Sequence, residues 1–405
     1  MIRSSKHILK FQTDFKTSQL EQIEKDVIET MQLYIDLLCA GKLPLDKFVS
    51  TILLPDTNIN HSQWKACIYQ EVSGMLRSQV KKAKDKRYKV YKKLYAKCKE
   101  SNRYEFFTAK RFSELRLKPI LSSKYFKNPV VKNFSINLKT NLFNTQFGNH
   151  FDNWVKISMP YVKEGKWAEP LKLPIKQHSQ SLKFNKWNQK RSIRLLKKND
   201  KYFLGFFYEK EAPNLRKSGS SLGIDQGYKA LVTCSDGQAQ GQELEQLYKR
   251  ISQKKQGSKA FKKLLVHRNN EINRACNQLD LSNVKELVLE DLKYLKYKTK
   301  LSTNVMNTLQ RWSYPKTMAK LESLCQTNGI LVSKVDPAYT SQRCSECGHI
   351  DKGNRKGLDF LCLSCGYGSN ADYNAARNIV NLGVYSLQGP EKELRCRQLW
   401  ITNAH

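Results

Sequence analysis

Apolar residues recur at helical spacing through SQLEQIEKDVIETMQLYIDLLCAGK (18–42), which predicts a helix ended by Gly41. Ahead of it, RSSKHILKFQT (3–13) reads as a short strand. Beyond the turn-prone PDTN (55–58) a second helical pattern runs from about Gln63 to Lys99. From about 118 to 212 the period changes. VVKNFSINLK (130–139), HFDNWVKISMP (150–160) and SIRLLKKNDKYFLGFFYEK (192–210) are rich in β-branched and aromatic residues and are separated by turns such as KEGK and KKND. These segments predict an antiparallel barrel or sandwich with its first strand near the N-terminus and the helices inserted into it. The polar NLRKSGSS (214–221) marks a boundary.

A different order follows. SLGID (221–225), KALVTCSDG (229–237) and QAQGQEL (238–244) supply three strands, and a basic helix is predicted from about Glu243 to Gln278. VKELVLED (284–291) is a buried strand, 312–329 a helix, ILVSKVDP (330–337) a strand and ADYNAARNIV (371–380) a last helix. Three strands, then helix, strand, helix, strand, helix is the order of an RNase H-like α/β domain. The chain is therefore expected to be a multi-domain α/β protein. Residues 1–13 and 118–218 form the β-barrel, interrupted by a helical insert at 14–117. An RNase H-like domain spans 219–338 and 371–382, a cysteine-rich insert occupies 339–370, and 383–405 is a tail.

Charge changes the picture next. Among 405 residues, 71 Lys and Arg face 36 Asp and Glu, a formal +35. A compact chain carrying that excess calls for a polyanionic partner, and nucleic acid offers the necessary number of phosphates. The basic residues are spread along the chain, not gathered on one amphipathic helix, which disfavours a membrane-surface role. No apolar run approaches transmembrane length and the first residues lack the core of a secretion signal, so a cytoplasmic, nucleoid-associated protein is expected. The second helix carries the densest cations, including Lys81, Lys82, Lys84, Arg87 and Lys92. Tyr88, Tyr91 and Tyr95, at i, i+3 and i+7, share one of its faces. They form either a packing seam or a platform for unpaired bases beside phosphate-binding lysines.

Three acids stand at element ends: Asp225 and Glu290 close strands, and Asp372 opens the last helix. Carboxylates so placed can converge at one sheet edge, where hard oxygen donors suit Mg²⁺ and paired ions serve phosphodiester hydrolysis. Each has a plainer reading: Asp225 as a turn residue, Asp291 in place of Glu290, Asp372 as a helix cap. His267 and His349 read as surface residues. Of eleven cysteines, Cys39, Cys67, Cys98, Cys234, Cys276, Cys325 and Cys396 are scattered and read as packing residues. Cys344-Ser-Glu-Cys347 and Cys362-Leu-Ser-Cys365 are two C-x-x-C knuckles, each followed by glycine. Together they suit one tetrahedral Zn²⁺ better than a pair of redox sites.

GIDQG (223–227), LVLEDL (287–292), YTSQRCSECGHID (339–351), FLCLSCGY (360–367) and ADYNAARNI (371–379) resemble the RuvC and zinc-ribbon signatures of TnpB. That family comprises transposon-encoded RNA-guided nucleases related to compact type V CRISPR effectors. The resemblance covers about 221–380; upstream it rests on element order and charge. It implies that Asp225, Glu290 and Asp372 hold two catalytic Mg²⁺, and that Cys344, Cys347, Cys362 and Cys365 hold one structural Zn²⁺. The implied partners are a guide RNA, from a transposon end or a CRISPR array, and a DNA target met as duplex and as single strands. The implied activity is cleavage beside a short flanking motif, with base pairing reading the sequence. A guided binder that does not cut, and an unguided transposase or junction-cutting enzyme, are the competing classes. Gln226 stands where the family often has an apolar residue, and the tail matches nothing interpretable.

Overall fold

The computed structural model describes residues 1–46, 48–101, 111, 113–147, 150–292 and 314–386. They fall into two compact units that divide between Lys210 and Glu211.

In the first unit, strand β1 (Ile2–Ile8) precedes helices α1 (Asp14–Cys39) and α2 (Ser62–Ser101). There follow β2 (Ser135–Lys139), β3 (Phe143–Phe147), β4 (Asn153–Ile157), β5 (Val162–Lys163), β6 (Lys166–Trp167), β7 (Leu171–Ile175), the single turn α3 (Ser179–Leu182), β8 (Asn188–Lys198) and β9 (Lys201–Glu209). Two antiparallel sheets result, in the orders β1-β9-β8-β2 and β3-β4-β7, and β5 pairs with β6. The first strand thus closes against the last, with Ile2 opposite Glu209. Ile136, Leu138, Ile193 and Leu195 from one sheet and Val155, Ile157 and Leu173 from the other share a core with Leu20, Ile23, Tyr34 and Trp64 of the helices. Helix α1 starts at Asp14 because the Thr13 side chain caps it, accepting from the Lys16 N–H. Asn199 and Asp200, both at positive φ (48° and 56°), make the tight β8–β9 turn, a geometry that matches the strand twist.

The second unit contains β10 (Ser220–Asp225), β11 (Val232–Cys234), β12 (Ala239–Gln240), α4 (Leu244–Ser252), α5 (Lys259–Asn277), β13 (Val284–Glu290), α6 (Tyr314–Asn328) and β14 (Leu331–Val335). The small strands β15 (Arg355–Lys356), β16 (Asp359–Leu361) and β17 (Gly368–Asn370) lead into α7 (Ala371–Ser386). The sheet order is β12-β11-β10-β13-β14. β11 runs antiparallel to β10, whereas β13 and β14 run parallel to it. The single helix expected over 243–278 is two helices: Gly257 turns at φ 83° and Ser258 caps the second, accepting from the Phe261 N–H. Helix α7 continues past 380 to Ser386, so the first residues assigned to the tail are helical, while 387–405 lie outside the described residues.

Both faces of this sheet are covered, which explains why its parallel strands read as continuous apolar runs. Leu222, Ile224, Leu287 and Leu289 pack with Leu244, Leu247, Ile251, Ile272 and Leu321. Val288 and Val335 pack on the other face with Ile379 of α7. That helix lies against β10 at Gly223, where a Cβ would come 2.3 Å from the Ala376 carbonyl oxygen and 2.7 Å from the Val380 nitrogen. Backbone cannot yield as a side chain can. Gly223→Ala is therefore expected to cost about 2–3 kcal/mol, at the upper end of overpacking changes; a urea midpoint equal to wild type would contradict it.

Candidate functional site

Ile224 of β10 pairs with Leu289 of β13, so the next residue of each strand, Asp225 and Glu290, leaves the sheet side by side. Helix α7 then brings Asp372 to the same edge: a Cβ on Gly227 would stand 3.6 Å from Asp372 Oδ2. Glu290 and Asp372 are buried, and Asp225 is half-buried. The plainer readings fare differently here. Asn370, not Asp372, caps α7, its Oδ1 accepting from the N–H groups of Asp372 (3.0 Å) and Tyr373 (3.2 Å). Asp372 is thereby left for other work. Asp291 is exposed, and alternation along β13 turns Glu290 toward α7.

The electrostatics are those of a crowded acid cluster. Burial first, then the charges of Glu290 and Asp372, push Asp225 well above the usual carboxylate range; Arg355 and the Gln226 N–H oppose the rise. Burial also raises Glu290, against the Thr340 hydroxyl, which donates to it at 2.5 Å. Arg355, on the β15 hairpin, donates from Nη2 to Asp372 Oδ1 at 2.9 Å. Nothing in the sequence pattern pointed to Arg355. It lies between the two cysteine knuckles, and only the fold carries it to the acids. Gln226 is 5% exposed, and neither polar atom of its side chain has a partner among the described residues. Asp225 thus lies within electrostatic reach of two further carboxylates, and hard oxygen donors so placed suit a divalent cation, although their oxygens are not drawn as close together as the sulfurs of the four cysteines.

The four cysteines come together. Their ligand atoms lie within 4.8 Å of one another, the only such group of metal-ligating side chains among the described residues. Sγ separations of 3.7 Å (Cys344–Cys365) and 3.5 Å (Cys347–Cys362) approach the roughly 3.8 Å edge of a tetrahedron with Zn–S bonds of about 2.3 Å. The quartet can bind zinc. Its two knuckles are built alike: the Cys344 N–H donates to His349 O and Gly348 N–H to Cys344 O, as Cys362 N–H does to Tyr367 O and Gly366 N–H to Cys362 O. Gly348 and Gly366 make the turns at φ 80° and 75°. Burial acts to raise the Cys362 thiol, but the N–H groups of Cys365 and Ser364 and the hydrogen bonds of the Cys347 and Cys365 thiols together outweigh it and bring it down to about 7. Buried Asn374 and Asn378 of α7 donate to Arg343 O at 2.8 and 2.7 Å, tying the helix that carries Asp372 to this ribbon. Elsewhere Cys67, Cys98, Cys234, Cys276 and Cys325 are buried, Cys39 is half-buried, and Cys396 lies outside the described residues. His267 is largely exposed beside Glu271 (3.6 Å), and His349 serves its knuckle through its backbone.

In the first unit, Lys81, Lys82, Lys84 and Lys92 are exposed along α2, and Arg87 is half-buried. Tyr88, Tyr91 and Tyr95 stack on one another, with centroids 6.5 and 6.1 Å apart and planes within 20°. None of the three belongs to the core, and Tyr88 and Tyr95 are about half exposed. No helix among the described residues is long and apolar enough to cross a membrane.

A family described as Cas12f1-like, TNB domain, matches residues 314–379, the stretch holding α6, the ribbon and Asp372. The CRISPR-associated endodeoxyribonuclease Cas12f1 of Sulfoacidibacillus thermotolerans is 58% identical over 73 residues, covering 18% of this chain and 17% of that protein. InsQ of Escherichia coli, whose name assigns it to the RNA-guided DNA endonucleases, is 27% identical over 222 residues, covering 45% and 54%. A TnpB-like protein of Aquifex aeolicus is 31% identical over 129 residues, covering 26% and 42%. The chain thus spans from about a sixth to about half of the length of these relatives. In fold alone, it resembles Alicyclobacillus acidoterrestris C2c1 crystallised with a single-guide RNA (TM-score 0.53, 8% identity, 94% of this chain and 88% of that one). By these matches the chain is similar, over part of its length, to Cas12f1, InsQ and TnpB-like proteins.

Proposed function

We propose that the chain is an RNA-guided DNA endonuclease whose second unit is a RuvC-type, RNase H-like nuclease cutting target DNA beside a short flanking motif. The observation that carries this reading is the meeting of Asp225, Glu290 and Asp372 at one sheet edge. Asp225 and Glu290 present oxygens from a rigid sheet, and α7, seated on Gly223, adds Asp372. Two Mg²⁺, when bound, would activate water and stabilise the leaving oxygen of the phosphodiester. Thr340 orients Glu290 through its hydroxyl. Arg355 restrains Asp372 and supplies positive charge for a phosphate brought to the acids. The four cysteines hold one structural Zn²⁺ and so fix the hairpin from which Arg355 reaches the site. In the first unit we read the two sheets as the barrel and α1 and α2 as the recognition insert. Lys81, Lys82, Lys84, Arg87, Tyr88, Tyr91 and Lys92 there would face guide RNA or target DNA, and the protein would work at the nucleoid.

The guide has two candidate sources. The similarity to a TnpB-like protein favours a transposon-end RNA, whereas the 58% identity over 73 residues to a Cas12f1 named as CRISPR-associated favours a CRISPR array. The test is to express the full chain with its native flanking DNA and sequence the RNA that copurifies. The complex is then given plasmids with and without a matching target. Linear plasmid is expected only with RNA, a match and Mg²⁺ together. Cleavage undiminished by ribonuclease treatment, or a preparation free of RNA, would overturn the guided reading.

A further inference from the structure

A cavity of about 260 Å³ opens on the basic face of α2, lined by Lys84, Arg87, Tyr88, Tyr91, Leu115 and Arg116. Three of these six side chains are cations and none is acidic. The nearby Glu114 is engaged by Lys124 at 3.3 Å. Arg87 is held in place, its Nη1 donating to the Lys118 carbonyl at 2.6 Å, which leaves its other N–H groups for a ligand. Buried Leu115 gives the cavity an apolar wall. The aromatic side is ordered: Tyr88 and Tyr91 are nearly parallel, Arg116 lies over Tyr91 at 5.0 Å from its centroid, and Lys92 over Tyr88 at 5.8 Å. Tyr88 nonetheless keeps 55% of its surface in water.

Duplex nucleic acid would need only the cations, because its bases are stacked on one another and present phosphates outward. An exposed ring and an apolar wall add nothing to such contacts. Both suit a base whose face is free. The cavity is also smaller than the roughly 300–1,000 Å³ of sites for whole small molecules, so one unit of a longer ligand fits it better. We propose that this cavity receives a single unpaired nucleotide, its base stacked on Tyr88 and its phosphate held by Lys84 and Arg87. The cations over the two rings then flank the stacked base. This inference rests on the reading of α2 as a nucleic-acid surface and is independent of the acid cluster.

The test uses fluorescence anisotropy with the full chain and four labelled probes of equal length: oligo(A), oligo(dA), an abasic oligomer and a duplex. Tyr88→Ala is expected to weaken the two base-bearing single strands about tenfold, the scale of one stacked base, and to leave abasic and duplex binding unchanged. Tyr88→Phe keeps the ring and is expected to bind within twofold of wild type. Lys84→Gln is expected to lower the slope of log K against log salt by about 0.7, one single-strand phosphate. The ratio of oligo(A) to oligo(dA) affinity tells whether the nucleotide belongs to RNA or to DNA. Wild-type chain binding the abasic oligomer as tightly as oligo(A) and oligo(dA) would overturn the proposal. So would full retention of oligo(A) and oligo(dA) binding by Tyr88→Ala. Should that variant melt early, the abasic comparison on the wild-type chain still decides. A chain that binds in this pattern but never cuts would sink the nuclease reading and leave the nucleotide pocket standing.

Discussion

Replacing Asp225 by alanine is expected to lower the rate of target cleavage by roughly three orders of magnitude while RNA binding survives. The magnitude is that of removing one preorganised electrostatic group from a site where charge develops. The separation of effects follows from position. Asp225 ends an inner strand of the second unit's sheet, whereas the densest cations lie on α2 of the first unit. Removing a half-buried carboxylate that its neighbours' charges already disfavour should also leave the melting temperature unchanged or raised, since the repulsion within the acid cluster falls. The neighbouring pair sharpens the result. Glu290→Gln is expected to behave like Asp225→Ala, and exposed Asp291→Asn like wild type. Single-turnover cleavage of a labelled target measures all three; wild-type rates from Asp225→Ala would end the assignment.

The second large effect concerns the cysteines. Freshly purified chain is expected to hold about one zinc, and Cys362→Ser to lose it along with the fold of 339–370. Structural zinc contributes apparent free energies of about 10–16 kcal/mol in isolated fingers, far more than the few buried apolar residues of this insert could replace. The consequence extends beyond the insert. With the hairpin unfolded, Arg355 leaves Asp372, and Asn374 and Asn378 lose the Arg343 carbonyl they share. Cleavage should therefore collapse although all three acids are intact. Mass-spectrometric metal analysis and limited proteolysis within 339–370 read the two halves of this expectation. Protein without zinc, or full activity in Cys362→Ser, would refute it.

Features of the second unit governed by local pattern were legible in the sequence. The apolar runs ending at Asp225 and Glu290 are strands, because burial on both sheet faces leaves no alternation to mask them. The cysteine quartet could be read from spacing alone, since two residues between the cysteines of each knuckle let both thiols face one point. Other features depend on contacts that no local pattern carries. The break at 253–258 comes from one glycine in left-handed conformation and one serine cap inside an otherwise helical composition. The choice of Glu290 over Asp291 needs the parity of the strand relative to α7. Arg355 reaches Asp372 across 17 residues only because the ribbon folds back. Asn370 takes the capping role that Asp372 could equally have filled on sequence grounds.

The seating of α7 on Gly223 also sets an order of events during synthesis. Asp225 and Glu290 leave the ribosome well before the cysteine quartet, and Asp372 follows the quartet. Until α7 docks, Asp225 and Glu290 stand at the sheet edge without Asp372. The step that completes the acid cluster is thus the same step that covers Val288 and closes the far face of the sheet. A polypeptide arrested before residue 372 would be both incompletely folded and without its third carboxylate, so assembly of the fold and assembly of the acid site are one event.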